Sequence, residues 1–438
     1  MSWREYYASR TVSAAEAAGK IQSGWRLATA HATGSPETLV NALVDRADSL
    51  RNVEIVHMVA MSKGKYCEPQ YKDNFRHVAI FAGGISRDAI RDGRADYVPR
   101  FFSEIPSLFT DGSLPLDAAL IMVSPPDQHG FVNLGVSVDY TLMAAREARC
   151  VIAEVSPHMP RIPGEGSIHV SEIDWFVETE AKLIELQPPK IGEIEQRIGQ
   201  HVASLVKDGD CLQLGIGAIP DAALTFLLDK KDLGIHSEMI SDGVMHLVEK
   251  GVVTGRKKNL HPGKIVITFA MGTQNFYEWL DNNQHMLMYP VDYVNDPYIV
   301  GKNDNLVSIN SAISVDMLGQ VAADMMGPMQ FSGVGGQVDF VRGSVISKGG
   351  RSIIAMPSTA AKGAVSRIGA ALERGQAVTT SRQDVDYIVT EHGIAYLRGK
   401  SVRHRAGALI NIAEPRFREE LLRETIDLYG WEPVGVKI

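Results

Sequence analysis

Short apolar runs closed by Gly, Pro, Ser or Asp recur along the chain. In the first half they are Val53–Val59, Val78–Phe81, Ala118–Val123 and Cys150–Val155. In the second they are Cys211–Leu214, Lys264–Phe269, Leu306–Ile309, Ser352–Met356 and Asp386–Val389. Continuous rather than alternating runs predict strands of a parallel sheet covered on both faces. Helical signals fall between them. Ser13 with Glu16 three residues on forms a capping box, and Glu37 to about Leu50 predicts a helix. Ile191, Ile194, Ile198, Val202 and Leu205 lie at helical spacing. A last helix follows Pro415 and is expected to bury Phe417, Leu421 and Leu422.

Gln187-Pro188-Pro189-Lys190 resists both helix and central strand. It predicts a linker, with domains over 1–187 and 190–438. The two parts begin alike. Gly24-Trp-Arg-Leu27, a small-residue turn and Pro36 before a helix resemble Gly209-Asp-Cys-Leu212, a Gly turn and Pro220 before a helix. A duplicated α/β unit follows, so the fold class is α/β with two similar, open, largely parallel-sheet domains.

Gly209–Gly243 is the focal stretch. Strand Cys211–Leu214 runs into Gly215-Ile216-Gly217, and Pro220 is expected to start a helix. A second strand, Ile235–Ile240, carries Glu238, and Asp242-Gly243 is expected to close the unit as a turn. Ligands in such sheets sit at the carboxyl ends of strands. A carboxylate there is either exposed, salt-bridged, or held out of bulk water as a nucleophile.

The chain has 438 residues, 45% apolar and 22% charged, with net charge −8. That balance leaves no basic stripe for nucleic acid. No run reaches the roughly 20 apolar residues of a membrane span. Met1–Thr11 is polar and aromatic, and Cys67, Cys150 and Cys211 have no motif spacing. These features predict a cytoplasmic protein.

Other motifs carry competing readings. Gly215-Ile-Gly217 with Glu238 about 20 residues on begins like a dinucleotide fingerprint, but Pro220 occupies the third glycine position. The turn is otherwise a phosphate or oxyanion cradle, or purely structural. Gly333-Val-Gly335-Gly336-Gln337 is a ligand shelf or a bare loop. Asn310–Ser314 is a hydrogen-bonding shelf or a helix N-cap. His129, His158 and His392 have no metal spacing, so no metal site is expected. Glu391 and His392, adjacent in an extended chain, are expected to point apart. Arg398, Lys400, Arg403, His404 and Arg405 form either a solvated surface or an anion site.

Gln213-Leu-Gly-Ile-Gly217-Ala-Ile-Pro220, Ser237-Glu238-Met-Ile-Ser-Asp242-Gly243 and Phe331-Ser-Gly-Val-Gly-Gly-Gln337-Val-Asp-Phe340 together resemble the acetyl-CoA hydrolase/transferase family. So does Val389-Thr-Glu-His-Gly-Ile-Ala-Tyr-Leu-Arg-Gly-Lys400. The resemblance spans nearly the whole chain and is nearest to the 4-hydroxybutyrate and butyryl-CoA:acetate CoA-transferases of this family. It implies two CoA-transferase-type α/β domains (NagB/RpiA-like) and Glu238 as a nucleophile that forms a glutamyl-CoA thioester. It places CoA contacts on Gln213, Leu214, Gly215, Ile216 and Gly217, on Ile313, and on Gly336. Acyl-CoA is then a substrate, with acetate and butyrate or 4-hydroxybutyrate as partner acids, and no prosthetic group is needed. Ser156-Pro157-His158 departs from the Asn expected in relatives.

The expectation is a ping-pong CoA-transferase of short-chain acid metabolism, a homodimer by default. Rivals are an acyl-CoA hydrolase on the same scaffold, an NAD-linked oxidoreductase, and a CoA-binding protein without turnover.

Overall fold

A computed structural model describes residues 1–437. The chain divides into two compact units, Met1–Gln187 with Val266–Val294, and Pro188–Ile265 with Asn295–Ile438. The stretch 266–294 thus belongs to the first unit, which a single cut at the Pro188-Pro189 linker does not anticipate.

The first unit is built on β1 (Arg26–Thr29), β2 (Val53–His57), β3 (Phe75–Ala79), β4 (Ala95–Tyr97), β5 (Ala118–Val123), β6 (Cys150–Val155) and β7 (Trp175–Glu178). They form one sheet in the order β4-β3-β2-β1-β5-β6-β7, parallel throughout. Leu27 pairs in register with Ile55 on one side and Ala118 on the other. All six residues of β5 are buried, as a strand covered on both faces requires. The helix α1 (Glu37–Val44) lays Leu39, Leu43 and Val44 on this sheet. It ends sooner than Leu50, because a separate 3₁₀ turn takes up Ala47–Ser49.

The second unit opens with α2 (Glu193–Ser204). Within this unit the strands of its sheet include β8 (Cys211–Leu214), β9 (Gly234–His236), β10 (Leu306–Ser311), β11 (Arg351–Ala355), β12 (Tyr387–Thr390) and β13 (Gly393–Tyr396). The order is β9-β8-β10-β11-β12-β13, parallel except for the last pair. Leu212 sits between Ile235 and Val307, as Leu27 sits between Ile55 and Ala118. The path β2-β1-β5-β6-β7 therefore repeats as β9-β8-β10-β11-β12. Helices α3 (Ala218–Thr225), α5 (Gln337–Ile346), α6 (Val402–Asn411) and α7 (Arg418–Tyr429) pack over this sheet, and α4 (Asp242–Glu249) packs against α3. Leu409, Ile410 and Leu421 join Ile354 and Ile388 in its core, while Phe417 and Leu422 are half-buried at the rim.

Three local expectations are corrected. The helix after the Gly turn starts at Ala218, so Pro220 is its third residue. The first four helical N–H groups have no intrahelical partner, so Pro costs nothing there either. The strand expected over Ile235–Ile240 stops at His236, bends through Ser237-Glu238 and resumes at Met239-Ile240. Asp242-Gly243 opens α4 instead of closing a turn, with Asp242 favourably placed in the first turn. Among the described residues no helix is long and apolar enough to cross a membrane. The three cysteines are free.

Candidate active site

β8 leads straight into the glycine turn. All four of its side chains are buried, and Gly217 holds φ +116° and ψ 177°, a conformation essentially reserved for glycine. No side chain caps α3, and the Cβ directions of Gly215 and Gly217 meet nothing within 4 Å. The turn therefore offers open backbone and a helix N-terminus, the arrangement that receives anionic groups. Ile216 is 44% exposed at its tip. Asp221, in the first turn of α3, is raised to about 6, by burial first and then by the nearby Asp242 charge.

The next strand end is locked to this turn. The Ser237 hydroxyl accepts the Leu214 N–H and donates to the Leu214 carbonyl, both at 3.1 Å. Polar Ser237 thus ends β9 by engaging its neighbour's backbone. Glu238 follows, half-buried, at the bend. Its Oε2 accepts an N–H from Asn295 Nδ2 at 2.9 Å. Asn295 is fully buried, and its Oδ1 has no hydrogen-bond partner among the described residues.

Gly336 forms the wall on the other side. A methyl group there would overlap Glu238 Oε2 and Asn295 Nδ2. This glycine is required by close approach, since its φ of −94° is ordinary. It is the residue that caps ten-residue α5, so the Glu238 carboxylate stands at a helix N-terminus, where negative charge is stabilised. Gly335 just before it has φ +56°.

Gln213 is buried at the end of β8. Its Oε1 accepts from Ser308 Oγ at 2.8 Å and Asn310 Nδ2 at 3.0 Å. Asn310 and Ser311 belong to β10, and no helix follows them, so this segment is a polar shelf and not an N-cap. Ile313 lies three residues beyond Asn310 with its N–H on Ala322 O at 2.9 Å. The structure thus brings Glu238 and Gly336 into contact, joins Leu214 to Glu238 through Ser237, and places Gln213 and Asn310 on adjoining strand ends. Ile313 joins them through the chain beyond β10. Asn295 was not visible in sequence. Asn295-Asp296-Pro297 reads as a helix start, and Asp296 does cap Pro297–Val300, but nothing local points to a partner 57 residues upstream.

The remaining candidates lie elsewhere. Glu391 and His392 do not point apart. The chain reverses between β12 and β13 at this pair, bringing His392 Nε2 within 3.7 Å of Glu391 and 3.0 Å of Glu414. These three are the one group of donor atoms among the described residues compact enough to hold a cation. Both Glu391 oxygens already bind Ser358. The basic cluster is largely spent internally: Arg405 donates to Leu318 O and Arg382 O, Arg403 to Glu432 O, and Arg398 faces Asp386.

Comparison with known proteins adds independent findings. Residues 1–188 match the acetyl-CoA hydrolase/transferase N-terminal domain, and residues 272–425 match its C-terminal domain. The chain is 58% identical over 424 residues to a 4-hydroxybutyrate coenzyme A transferase of Clostridium kluyveri, covering 97% of this chain and 99% of that one. It is 44% identical to a succinyl-CoA:cyclohexane-1-carboxylate CoA transferase of Geobacter metallireducens, covering 96% of each. A crystal structure of a 4-hydroxybutyrate CoA-transferase from Porphyromonas gingivalis superposes with a TM-score of 0.84 at 40% identity, covering 98% of this chain and 100% of that one.

Proposed function

The chain belongs to the acetyl-CoA hydrolase/transferase family, and we propose that it moves CoA between acetyl-CoA and a short-chain carboxylate of the butyrate or 4-hydroxybutyrate class. One observation carries this reading: the Glu238 carboxylate lodged between the Asn295 amide and the N-terminus of α5 at Gly336. The 58%-identical relative supports the acid class. The 44%-identical one acts on a cyclic acid, so the pocket around a shared chemistry sets the partner.

The steps balance without external proton or electron. A Glu238 oxygen attacks the acyl carbonyl, the C–S bond breaks, and CoA leaves as thiolate with an acyl-glutamyl anhydride behind. The thiolate attacks the glutamyl carbonyl, an anhydride C–O bond breaks, and the first acid leaves as carboxylate. Glutamyl-CoA remains. The second acid reverses the sequence. Each tetrahedral oxyanion needs donors, worth roughly 3 kcal/mol each when well placed. Asn295 Nδ2 and the amides of Gly215–Gly217 and Gly335–Gly336 are the donors in this reading. The anhydride is uphill, so its formation draws on binding of the nucleotide end of CoA, far from the reacting atoms. In this reading Gln213–Gly217, Ile313 and Gly336 contact CoA, with Gly336 at the reacting end beside Glu238. We place the enzyme in the cytoplasm, as a homodimer; a sparse, odd number of cysteines, Cys67, Cys150 and Cys211, fits a reducing compartment.

The test is mass spectrometry of the Glu238 peptide after incubation with acyl-CoA, followed by a panel of acceptor acids. A CoA adduct on Glu238 that disappears when acetate is added is expected. Free thiol released without acceptor, as fast as transfer, would make the protein a hydrolase. Nicotinamide binding would move it to redox chemistry.

A further inference from the structure

Lys258 is buried, 6% exposed, in the loop between α4 and residue 265. Its ammonium donates to Ile235 O and to Lys264 O, both at 2.8 Å. Among the described residues no carboxylate pairs with it. A buried charge without a counter-ion is expensive, and the two carbonyls that accept from it are what offsets that cost. The strand it grips is β9, three residues before Glu238. Gly234 of that strand has no unusual φ, yet any side chain there would overlap the Lys258 stem. Loop and strand are thus shaped for one another. Thr254 and Gly255 also donate their N–H groups to Leu233 O, at 3.0 and 2.9 Å.

We propose that Lys258 is a positioning residue for the reaction assigned to Glu238: its ammonium fixes the end of β9 so that the bend at Ser237-Glu238 delivers the carboxylate to Asn295 and Gly336. This rests on the nucleophile reading above. The group contributes through its two hydrogen bonds, which tie the carbonyl of Ile235 on β9 to that of Lys264 in the loop. Burial pulls Lys258 down to about 8, with the Cys211 thiol opposing. The titratable neighbours facing it are Cys211 on β8, raised by burial to about 11, and His261 in its own loop, lowered by burial and then by Lys258. Asp210 acts on Cys211 from the start of β8.

The experiment is kcat, KM and the urea midpoint of wild type and variants at about pH 7. K258M removes both hydrogen bonds and is expected to lose about 10-fold or more in kcat, since small misplacements of reacting groups cost that much, with KM nearly unchanged. K258R keeps N–H donors on a long side chain and is expected to recover part of that kcat. G234A displaces the stem without removing the charge, and serves if K258M does not fold. K258M at wild-type kcat overturns the proposal, as does a loss that tracks only the unfolded fraction. Absence of transfer in wild type, or full transfer in E238Q, would instead sink the nucleophile reading.

Discussion

Asn295 Nδ2 lies 2.9 Å from Glu238 Oε2 across 57 residues of sequence. The amide is buried and can donate to whichever oxygen develops charge at residue 238. Asn295→Ala is expected to lower kcat about 10²-fold, about 2.7 kcal/mol, in line with loss of one oriented donor. KM for acyl-CoA should change little, because the amide faces the reacting end. Steady-state kinetics with acetyl-CoA and butyrate checks this. Equal losses of kcat in Asn295→Ala and in a distant surface variant would remove the residue from the site.

Removal of the carboxylate is the sharper cut. Glu238→Gln preserves shape and the Asn295 neighbour but cannot form an anhydride. Transfer is expected to fall by more than about 10³-fold, the scale for loss of a covalent nucleophile. CoA binding, followed by calorimetry, should persist. Retained transfer would place the covalent step on another residue.

Gly336→Ala tests the wall beside the carboxylate. The added methyl overlaps Glu238 Oε2 and Asn295 Nδ2, while φ of −94° suits alanine. Activity is expected to drop at least 10-fold with the urea midpoint nearly unchanged. Gly217→Ala inverts that pattern. Its methyl meets no atom, but φ +116° is strained for any L side chain, at about 1–3 kcal/mol. Its urea midpoint should fall and KM for acyl-CoA should rise. If the two variants behaved alike, the separation of clash from strain would be wrong.

Much of this architecture was readable beforehand, for physical reasons. Ala118–Val123, Cys150–Val155 and Cys211–Leu214 matched to the residue because continuous apolar runs bounded by turn formers have one stable use, a doubly covered strand. Ser13 and Glu16 formed their capping box because that motif is wholly local. Pro220 does not mark the first helical position, because every position in a first turn tolerates proline. The strand before Glu238 is shorter than its apolar pattern predicts, because Ser237 spends its hydroxyl on Leu214, a partner on another strand. Gly336 was legible as a glycine, but its crowding by Glu238 was not. Asn295 and the reversal at Glu391-His392 depend on tertiary closure, which no spacing records.

The first unit carries a predictable acid sensitivity. His57 and His77 are each 1% exposed, with ring centroids 6.4 Å apart. Both His77 nitrogens and His57 Nε2 have no hydrogen-bond partner among the described residues. Burial lowers His77 to about 4, and lowers His57 well below its ordinary value, with the His77 and His31 charges adding. Unfolded histidine takes up its proton near 6.5, so below that pH the unfolded chain binds more protons than the folded one. Stability is therefore complete above about pH 6.5 and is lost as pH falls toward 4. At 1.36 kcal/mol per unit, His77 alone accounts for on the order of 3 kcal/mol. Urea unfolding at pH 7.5, 6, 5 and 4.5 should show this decline. His77→Phe should flatten it by about one proton while leaving stability at pH 7.5 close to wild type, because no hydrogen bond is removed. An unchanged pH slope in that variant would assign the acid sensitivity to other groups.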